Sequence, residues 1–144
     1  MSEYPDIFPK NFESDILPKE AKKFNRTVYR VMKSGVINRN EFISTFEEIQ
    51  RKIIPPKKKI DLNDPSLYST SCSEDRGDIE FVLKLMMKHN PRPIIVIGET
   101  DGECGPSQLT KERVLGKNDS HVDWWIFKDA LPHNFFRKVD ENEE

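Results

Sequence analysis

The chain lacks the features that mark several large protein classes. Two cysteines, Cys72 and Cys104, in 144 residues are too few for a disulfide scaffold. The longest aliphatic run spans residues 94–97, whereas a membrane-spanning helix needs about 18 apolar residues in succession. The N-terminus has acids and prolines where a secretory signal has a basic start and an apolar core, and Ser2 excludes N-myristoylation. We therefore expect a cytoplasmic protein with reduced thiols, although a single Cys72–Cys104 disulfide stays open.

Standard cofactor and metal motifs are also absent. The sequence contains no GxxxxGK[ST], GxGxxG, HExxH or CxxC pattern. Its formal net charge of −2 excludes an overall basic nucleic-acid binder, and we expect neither DNA nor membrane binding. The charge is divided unevenly, with 13 Lys and Arg against 8 Asp and Glu in residues 1–60 and 10 against 17 in residues 61–144. We expect a protein partner or target, and the oligomeric state stays open.

Bulky apolar side chains are nevertheless sufficient for one core. Hydrophobic residues make up only 35% of the chain, but nine Phe, three Tyr and two Trp are among them. Three prolines in residues 1–18 predict an extended arm. We expect a single α+β domain over residues 19–139 and a frayed acidic tail over residues 140–144.

The spacing of apolar residues predicts an N-terminal helical hairpin. Two stripes recur at intervals of three and four residues, which is typical of helices that face a core. The stripes are Ala21, Phe24, Val28 and Val31, and then Phe42, Phe46, Ile49 and Ile53. Pro55 and Pro56 end the second helix, and a further helix is predicted over residues 74–89.

Strands are predicted in the later part of the chain. Residues 67–72, 93–97 and 121–128 are rich in β-branched and aromatic side chains, and a long irregular loop occupies residues 98–120. The expected fold is α+β, with the helical hairpin followed by a small, mainly antiparallel sheet and one further helix. Of the adjacent Trp124 and Trp125, one is expected in the core, and the other needs a cover or a ligand.

The segment Tyr68-Ser69-Thr70-Ser71 lies at a predicted strand end. It resembles the aromatic-Ser-Thr-Ser element of the arginine–serine–glutamate class of ADP-ribosyltransferases. Tyr29-Arg30 lies upstream, like the Tyr-Arg pair of that family, and His121-x-Asp123 stands where the family has an acid at the head of an apolar strand. The chain departs from the pattern because it has Asp in place of Glu, and because Arg30 falls in a predicted helix.

The resemblance implies a small NAD-using domain that modifies a macromolecular target. Arg30 would hold the NAD phosphates, Ser69 would fix the acid, and Asp123 would stabilise positive charge on the ribose. The residues that would contact the cofactor are Tyr29, Tyr68, Thr70, Ser71, His121 and Trp124. Glu99 and Glu103 are rival acids.

Other interpretations stay open, including whether the chain is an enzyme. One is a non-enzymatic binding or inhibitory protein of a mobile element or host-interaction system, with its interface on loop 98–120 or on Lys57–Lys59. Another is a metal-dependent hydrolase that uses His121, Asp123 and Glu103. In the plainest interpretation, Arg30 is a surface arginine and the Ser-Thr-Ser segment only caps a helix.

Overall fold

A six-stranded sheet forms the framework of the computed structural model, which describes residues 3–56 and 59–140. The strands are β1 (Thr27–Met32), β2 (Thr70–Ser73), β3 (Ile94–Glu99), β4 (Ser107–Leu109), β5 (His121–Trp124) and β6 (Phe136–Lys138). Their order is β4-β5-β2-β1-β3-β6, and every neighbouring pair is antiparallel. The mixed class and the antiparallel sheet expected from the sequence are confirmed.

Helical segments are short, apart from one. They are α1 (Thr45–Gln50), α2 (Arg76–Met86), a π-helical turn (Phe12–Ile16) and 3-10 turns at Arg39–Phe42, Pro65–Tyr68, Thr110–Glu112 and Pro132–Phe135. Asp75 caps α2 by accepting a hydrogen bond from the Asp78 N–H at 3.0 Å. The structure thus contains the further helix that the sequence predicts, and this helix packs against β1, β2 and β3. In the described part of the chain, no helix is long and apolar enough to span a membrane.

The predicted N-terminal helical hairpin is wrong. Residues 27–32, assigned to its first helix, form β1, a run of β-branched and aromatic residues that favours extended backbone. This central strand is buried on both faces, with Val28 on one side and Val31 on the other, so its apolar residues imitate a helical spacing. Of the second helix, only α1 and the turn at Arg39–Phe42 are helical.

The N-terminal segment packs against the domain, and residues 12–16 are helical instead of extended. Phe8, Phe12 and Ile16 are buried in a cluster with Tyr68 and Trp125. The ring centroids of Phe8 and Phe12 lie 5.0 and 5.3 Å from that of Tyr68. Spacings of four residues bring these side chains to one side of the segment, where they gain burial that an extended arm lacks.

The two adjacent tryptophans lie on opposite faces of the chain, and both are fully buried. Trp124 belongs to the main core, together with Val28, Met32, Phe42, Cys72, Val96, Cys104, Val122, Ile126 and Phe136. The cover for Trp125 is the N-terminal aromatic segment. Cys72 and Cys104 are buried free thiols and form no disulfide with each other.

The C-terminal segment packs as expected from its aromatic residues. Phe136 and Val139 are buried, and β6 pairs with β3 at one edge of the sheet. Of the predicted acidic tail, residues 141–144 lie outside the described residues, as do Lys57 and Lys58 of the basic cluster.

Gly105 is the position where the fold tolerates a side chain least. Its φ is +149°, and a Cβ there would lie 1.9 Å from the carbonyl oxygen of Trp125. Gly116 also has a positive φ, of +84°, but a Cβ there would meet nothing within 4 Å.

We expect Gly116→Ala to cost about 1 kcal/mol of unfolding free energy through its backbone conformation alone. Gly105→Ala should cost about 2 kcal/mol more, because the backbone must also move. Urea unfolding of both variants measures the difference, and equal losses would contradict the steric explanation.

Candidate functional site

A buried carboxylate lies at the centre of the site. The side chain of Asp123, on β5, is 0% exposed. Its Oδ1 accepts a hydrogen bond from the Ser69 hydroxyl at 2.6 Å. Its Oδ2 accepts three more, from the Ser66 hydroxyl at 3.1 Å, the Thr110 hydroxyl at 2.8 Å and Nη2 of Arg113 at 2.7 Å. The carboxylate is therefore saturated with donors and closed off from solvent.

The position of β5 in the sheet explains why these donors converge. Strand β5 lies between β2 and β4. Ser66 and Ser69 come from the turn that leads into β2, where the Asp64 carboxylate caps the turn by accepting from the Ser66 N–H at 3.0 Å. Thr110 and Arg113 come from the turn that follows β4. Asp123 thus ties together the segments on both sides of its own strand.

Hydrogen bonds hold Asp123 in its ionised form. Burial raises the pKa of this carboxyl. Hydrogen bonds from Ser69, Arg113 and Thr110, together with the nearby His121, lower the pKa by a larger amount, so that it lies below the ordinary 3.8. Arg113 supplies the balancing positive charge. Its Nη1 also donates to the Gln108 side chain at 2.7 Å, and its guanidinium lies 5.7 Å from the centroid of the Trp125 ring.

His121 lies beside this network. Its Nδ1 is 2.5 Å from the Thr110 hydroxyl oxygen and 4.0 Å from Oδ1 of Asp123. Burial lowers the pKa of the imidazole below 6.5, and this effect outweighs the opposing effect of the Asp123 charge. The ring is therefore mostly neutral at pH 7.

A cleft of about 330 Å³ opens above this network. Its walls are formed by α1, the loop before β2, the turn after β4 and the first residue of β5. It is lined by Thr45, Ile49, Lys59, Ile60, Asp61, Asp64, Ser66, Leu67, Ser71, Thr110, Lys117 and His121. This volume falls at the lower end of the range of small-molecule sites. The lining offers hydroxyl groups, one imidazole and charges of both signs.

Four residues of the candidate site lie together. Ser71 and His121 line the cleft, and Ser69 and Asp123 lie immediately beneath it. Ser71 and Asp123 are directly paired across β2 and β5, so their side chains share one face of the sheet. Ser69 makes the contact to the acid that the resemblance implies.

Arg30 lies on the opposite face of the sheet from Asp123. Its guanidinium donates to the carbonyl oxygens of Glu41 and Ser71 at 2.9 and 2.6 Å and lies 5.8 Å from the centroid of the Phe42 ring in the main core. Successive side chains of a strand alternate, and Arg30 shares its face with Val28 and Met32. The sheet therefore separates this guanidinium from the cleft.

The expected cofactor contacts are not all at the cleft. Tyr29, on β1, is paired with Ser73 and does not line the cleft. Three further residues are buried, with their polar atoms already hydrogen-bonded to backbone carbonyls. These are Tyr68 to Leu62 at 2.7 Å, Thr70 to Phe42 at 2.8 Å and Trp124 to Gly105 at 3.0 Å. Their rings and methyl groups fill the interior and leave no surface for a ligand.

The rival acids lie elsewhere. Glu99 borders a separate cavity of about 440 Å³ next to β6, and Glu103 is exposed on the loop after β3. Within residues 3–56 and 59–140, no group of three or more His, Cys, Asp and Glu side chains could hold a metal ion. Of the three residues in the hydrolase interpretation, only His121 and Asp123 lie close together, and Glu103 lies apart from them.

Sequence reasoning missed Ser66, Thr110 and Arg113. None belongs to a periodic pattern, and two of them follow a strand of only three residues, β4. One general signal was available, since an aspartate within a strongly apolar strand must find several donors once it is buried. That rule requires such partners without indicating where in the sequence they are.

The hydrogen bond from Ser69 to Asp123 has a measurable effect on stability. We expect Ser69→Ala to lower the unfolding free energy by about 1–3 kcal/mol, because one buried lone pair of a charged group loses its donor. The matched control is Ser14→Ala, since the Ser14 hydroxyl makes only an exposed contact to Asn11, and its effect should stay within about 0.5 kcal/mol. Urea denaturation measures both, and equal effects would rule out a structural role for the Ser69 hydroxyl.

Acid should weaken the fold through Asp123. A carboxyl whose pKa is lowered by folding stabilises the native state fully above its unfolded pKa, and this contribution is lost as pH falls through the folded pKa. Stability should therefore decline as pH falls below about 4. In Asp123→Asn the fold should be weaker at pH 7 and its stability less dependent on pH in this range, whereas the exposed Asp129→Asn should behave like wild type. Thermal unfolding between pH 3 and pH 7 tests this, and an unchanged pH dependence in Asp123→Asn would contradict it.

Comparison of the chain with protein-family models, with curated protein sequences and with solved structures finds no match. A functional interpretation therefore depends on the arrangement of Ser69, Asp123 and His121 beneath and beside the cleft.

Proposed function

We propose that this chain is a small ADP-ribosyltransferase-like domain that binds NAD in the cleft over β2 and β5 and modifies a macromolecular target in the cytoplasm. The observation that carries the proposal is the 2.6 Å hydrogen bond from the Ser69 hydroxyl to the Asp123 carboxylate, between a Tyr-Ser-Thr-Ser segment and an acid on the adjacent strand. Tyr29-Arg30 lies on β1, next to β2, and so on a strand like the arginine of the family that the chain resembles.

The electrostatics of the site suit the cleavage of NAD. Breaking the bond between nicotinamide and ribose builds positive charge on the ribose, and a fixed negative charge nearby stabilises that transition state. Asp123 is ionised and pairs with Arg113 in low-dielectric protein, so the field of this pair at the cleft floor is screened less than that of a surface ion pair. It acts through this field, since Ser66 and Thr110 lie between its carboxylate and the cleft.

Arg30 has a different role in this proposal from the one that the resemblance implies. Its guanidinium clamps β1, β2 and the segment at Glu41 together, and it does not touch the ligand. The cations that line the cleft are Lys59 and Lys117, and these are the groups placed to pair with a diphosphate. Lys117 lies 3.5 Å from Asp119, an exposed partner from which it can be drawn at little cost.

NAD should bind to the purified protein with measurable heat and should raise its melting temperature. Lys117→Glu should weaken binding about tenfold or more, because it replaces a diphosphate partner by a like charge. Lys88→Glu makes the same change of charge on the exposed turn after α2, away from the cleft, and should bind NAD like wild type. Isothermal titration calorimetry measures all three proteins.

Two results would reject the proposed function. One is the absence of both heat and thermal stabilisation at millimolar NAD. The other is binding that Lys117→Glu and Lys88→Glu weaken to the same extent, which would place the ligand outside the cleft.

A non-enzymatic binding protein is the second candidate, and an exposed apolar tip favours it. In the loop before β5, Leu115 is 102% exposed and Val114 is also exposed. Two adjacent exposed apolar side chains at a loop tip suit contact with a partner, since loops carry many binding residues. Nicotinamide release separates the candidates, because a binding protein that retains the cleft would bind NAD and release no nicotinamide.

A further inference from the structure

We propose that His121, and not Asp123, is the catalytic residue that takes a proton from a reactant bound in the cleft. In this arrangement Thr110 and Asp123 are positioning residues that hold the imidazole in one tautomer.

The hydrogen-bond network assigns that tautomer. The Thr110 hydroxyl oxygen lies 2.8 Å from Oδ2 of Asp123 and 2.5 Å from Nδ1 of His121. An ionised carboxylate can only accept, so the single hydroxyl proton of Thr110 points to Asp123. The Thr110 oxygen then accepts from Nδ1, which must carry the ring proton. Nε2 is left unprotonated, with its lone pair directed away from the network.

The geometry leaves Nε2 open to a ligand. His121 lines the cleft, and its side chain is 23% exposed. Within the part of the chain that the structure describes, Nε2 has no hydrogen-bond partner. This nitrogen is also not fully buried, so a ligand can reach it. It is therefore a free acceptor at the surface of the cleft.

Charged groups on every side bear on the protonation of His121. Asp123 lies on the same strand, Asp119 precedes that strand, and Arg113 and Lys117 lie on the loop after β4. The charged groups across the cleft are Lys59, Asp61 and Asp64. The effects of the acidic and basic groups on the pKa of the imidazole largely cancel, so burial is the main effect and lowers this pKa. A neutral imidazole at pH 7 is the form that can accept a proton.

Asp123 is unsuited to that task. Its two oxygens already accept four hydrogen bonds, its side chain is 0% exposed, and Arg113 keeps it ionised at 2.7 Å. A reactant can reach it only if this network opens. Its contribution is to orient Thr110 and, through it, His121, as a carboxylate orients the histidine in other acid–base sites.

The chemical step depends on the proposed function, with water as the simplest acceptor. The water oxygen forms a bond to C1′ of the ribose, and its proton passes to Nε2 of His121. The bond between C1′ and the nicotinamide nitrogen breaks, and its electron pair leaves with neutral nicotinamide. The imidazolium then returns its proton to solvent. Transfer to a hydroxyl of a macromolecule follows the same balance.

The tautomer is tested without any ligand. Nitrogen NMR of ¹⁵N-histidine-labelled protein at neutral pH should show His121 with a protonated Nδ1 and an unprotonated Nε2. Thr110→Val removes the hydroxyl at nearly constant volume and should produce a mixture of tautomers, whereas Thr110→Ser should retain the wild-type form. A wild-type ring protonated at Nε2, or a Thr110→Val spectrum identical to that of wild type, would overturn the positioning role.

Kinetics of nicotinamide release test the proton transfer. His121→Asn keeps a donor near the position of Nδ1 and removes Nε2, so kcat should fall about 100-fold with little change in KM. The wild-type rate should fall as pH drops through the pKa of His121, below 6.5, and the variant should lose this limb of the profile. His89→Asn, on the exposed turn after α2, should match wild type. A His121→Asn enzyme with the wild-type rate and pH profile would overturn the assignment.

The test also separates this inference from the proposed function. If wild-type protein binds NAD but releases no nicotinamide, the proton-transfer step is overturned while the NAD-binding part of the proposal stands. If NAD does not bind at all, both fail, and the NMR result still decides whether Thr110 fixes the tautomer.

Discussion

The burial of one ionised carboxylate constrains the rest of this structure. An isolated charge inside a protein costs several kcal/mol, so Asp123 can occupy the interior only with Arg113 and three hydroxyl groups around it. Those donors come from the turn before β2 and the turn after β4. Neither turn can shift alone without leaving the charge short of a partner. The network therefore selects a single arrangement of three segments, and its contribution to net stability is secondary.

A second buried charge performs a related task on the other face of the sheet. Strands β1 and β2 are paired through a single register position, Tyr29 with Ser73. The carbonyl of Ser71 is instead satisfied by the guanidinium of Arg30, which also reaches Glu41. Ser71 thus joins the two charges, because its carbonyl binds Arg30 and its side chain faces the cleft beside Asp123. Arg30, which corresponds to the phosphate-binding arginine that the resemblance implies, thus supplies a hydrogen bond to β2 where β1 provides no backbone partner.

The sequence was most informative where burial and periodicity agreed. Strand β3 has a continuous aliphatic run, and α2 has apolar residues at helical spacing (Ile79, Val82, Leu83 and Met86), so both elements were predictable from local chemistry. Strand β1 was not, because a strand buried on both faces has no alternation and its spacing can imitate a helix. At the site, Ser69 and Asp123 could be paired in advance because a motif joined them. Thr110 and Arg113 could not, because their approach to Asp123 depends on β4, whose three residues carry almost no signal.

The N-terminal aromatic segment has a consequence for the order in which the molecule is made. Phe8 and Phe12 are synthesised long before Trp125, yet Trp125 is one of the side chains that bury them. Most neighbours in the sheet are also distant in sequence, with β2 beside β5 and β3 beside β6. Such a topology must close long loops before its contacts form, which favours slower folding than in a protein with mainly local contacts. During that interval Phe8 and Phe12 lack Trp125 as a partner, and their rings stay exposed to water.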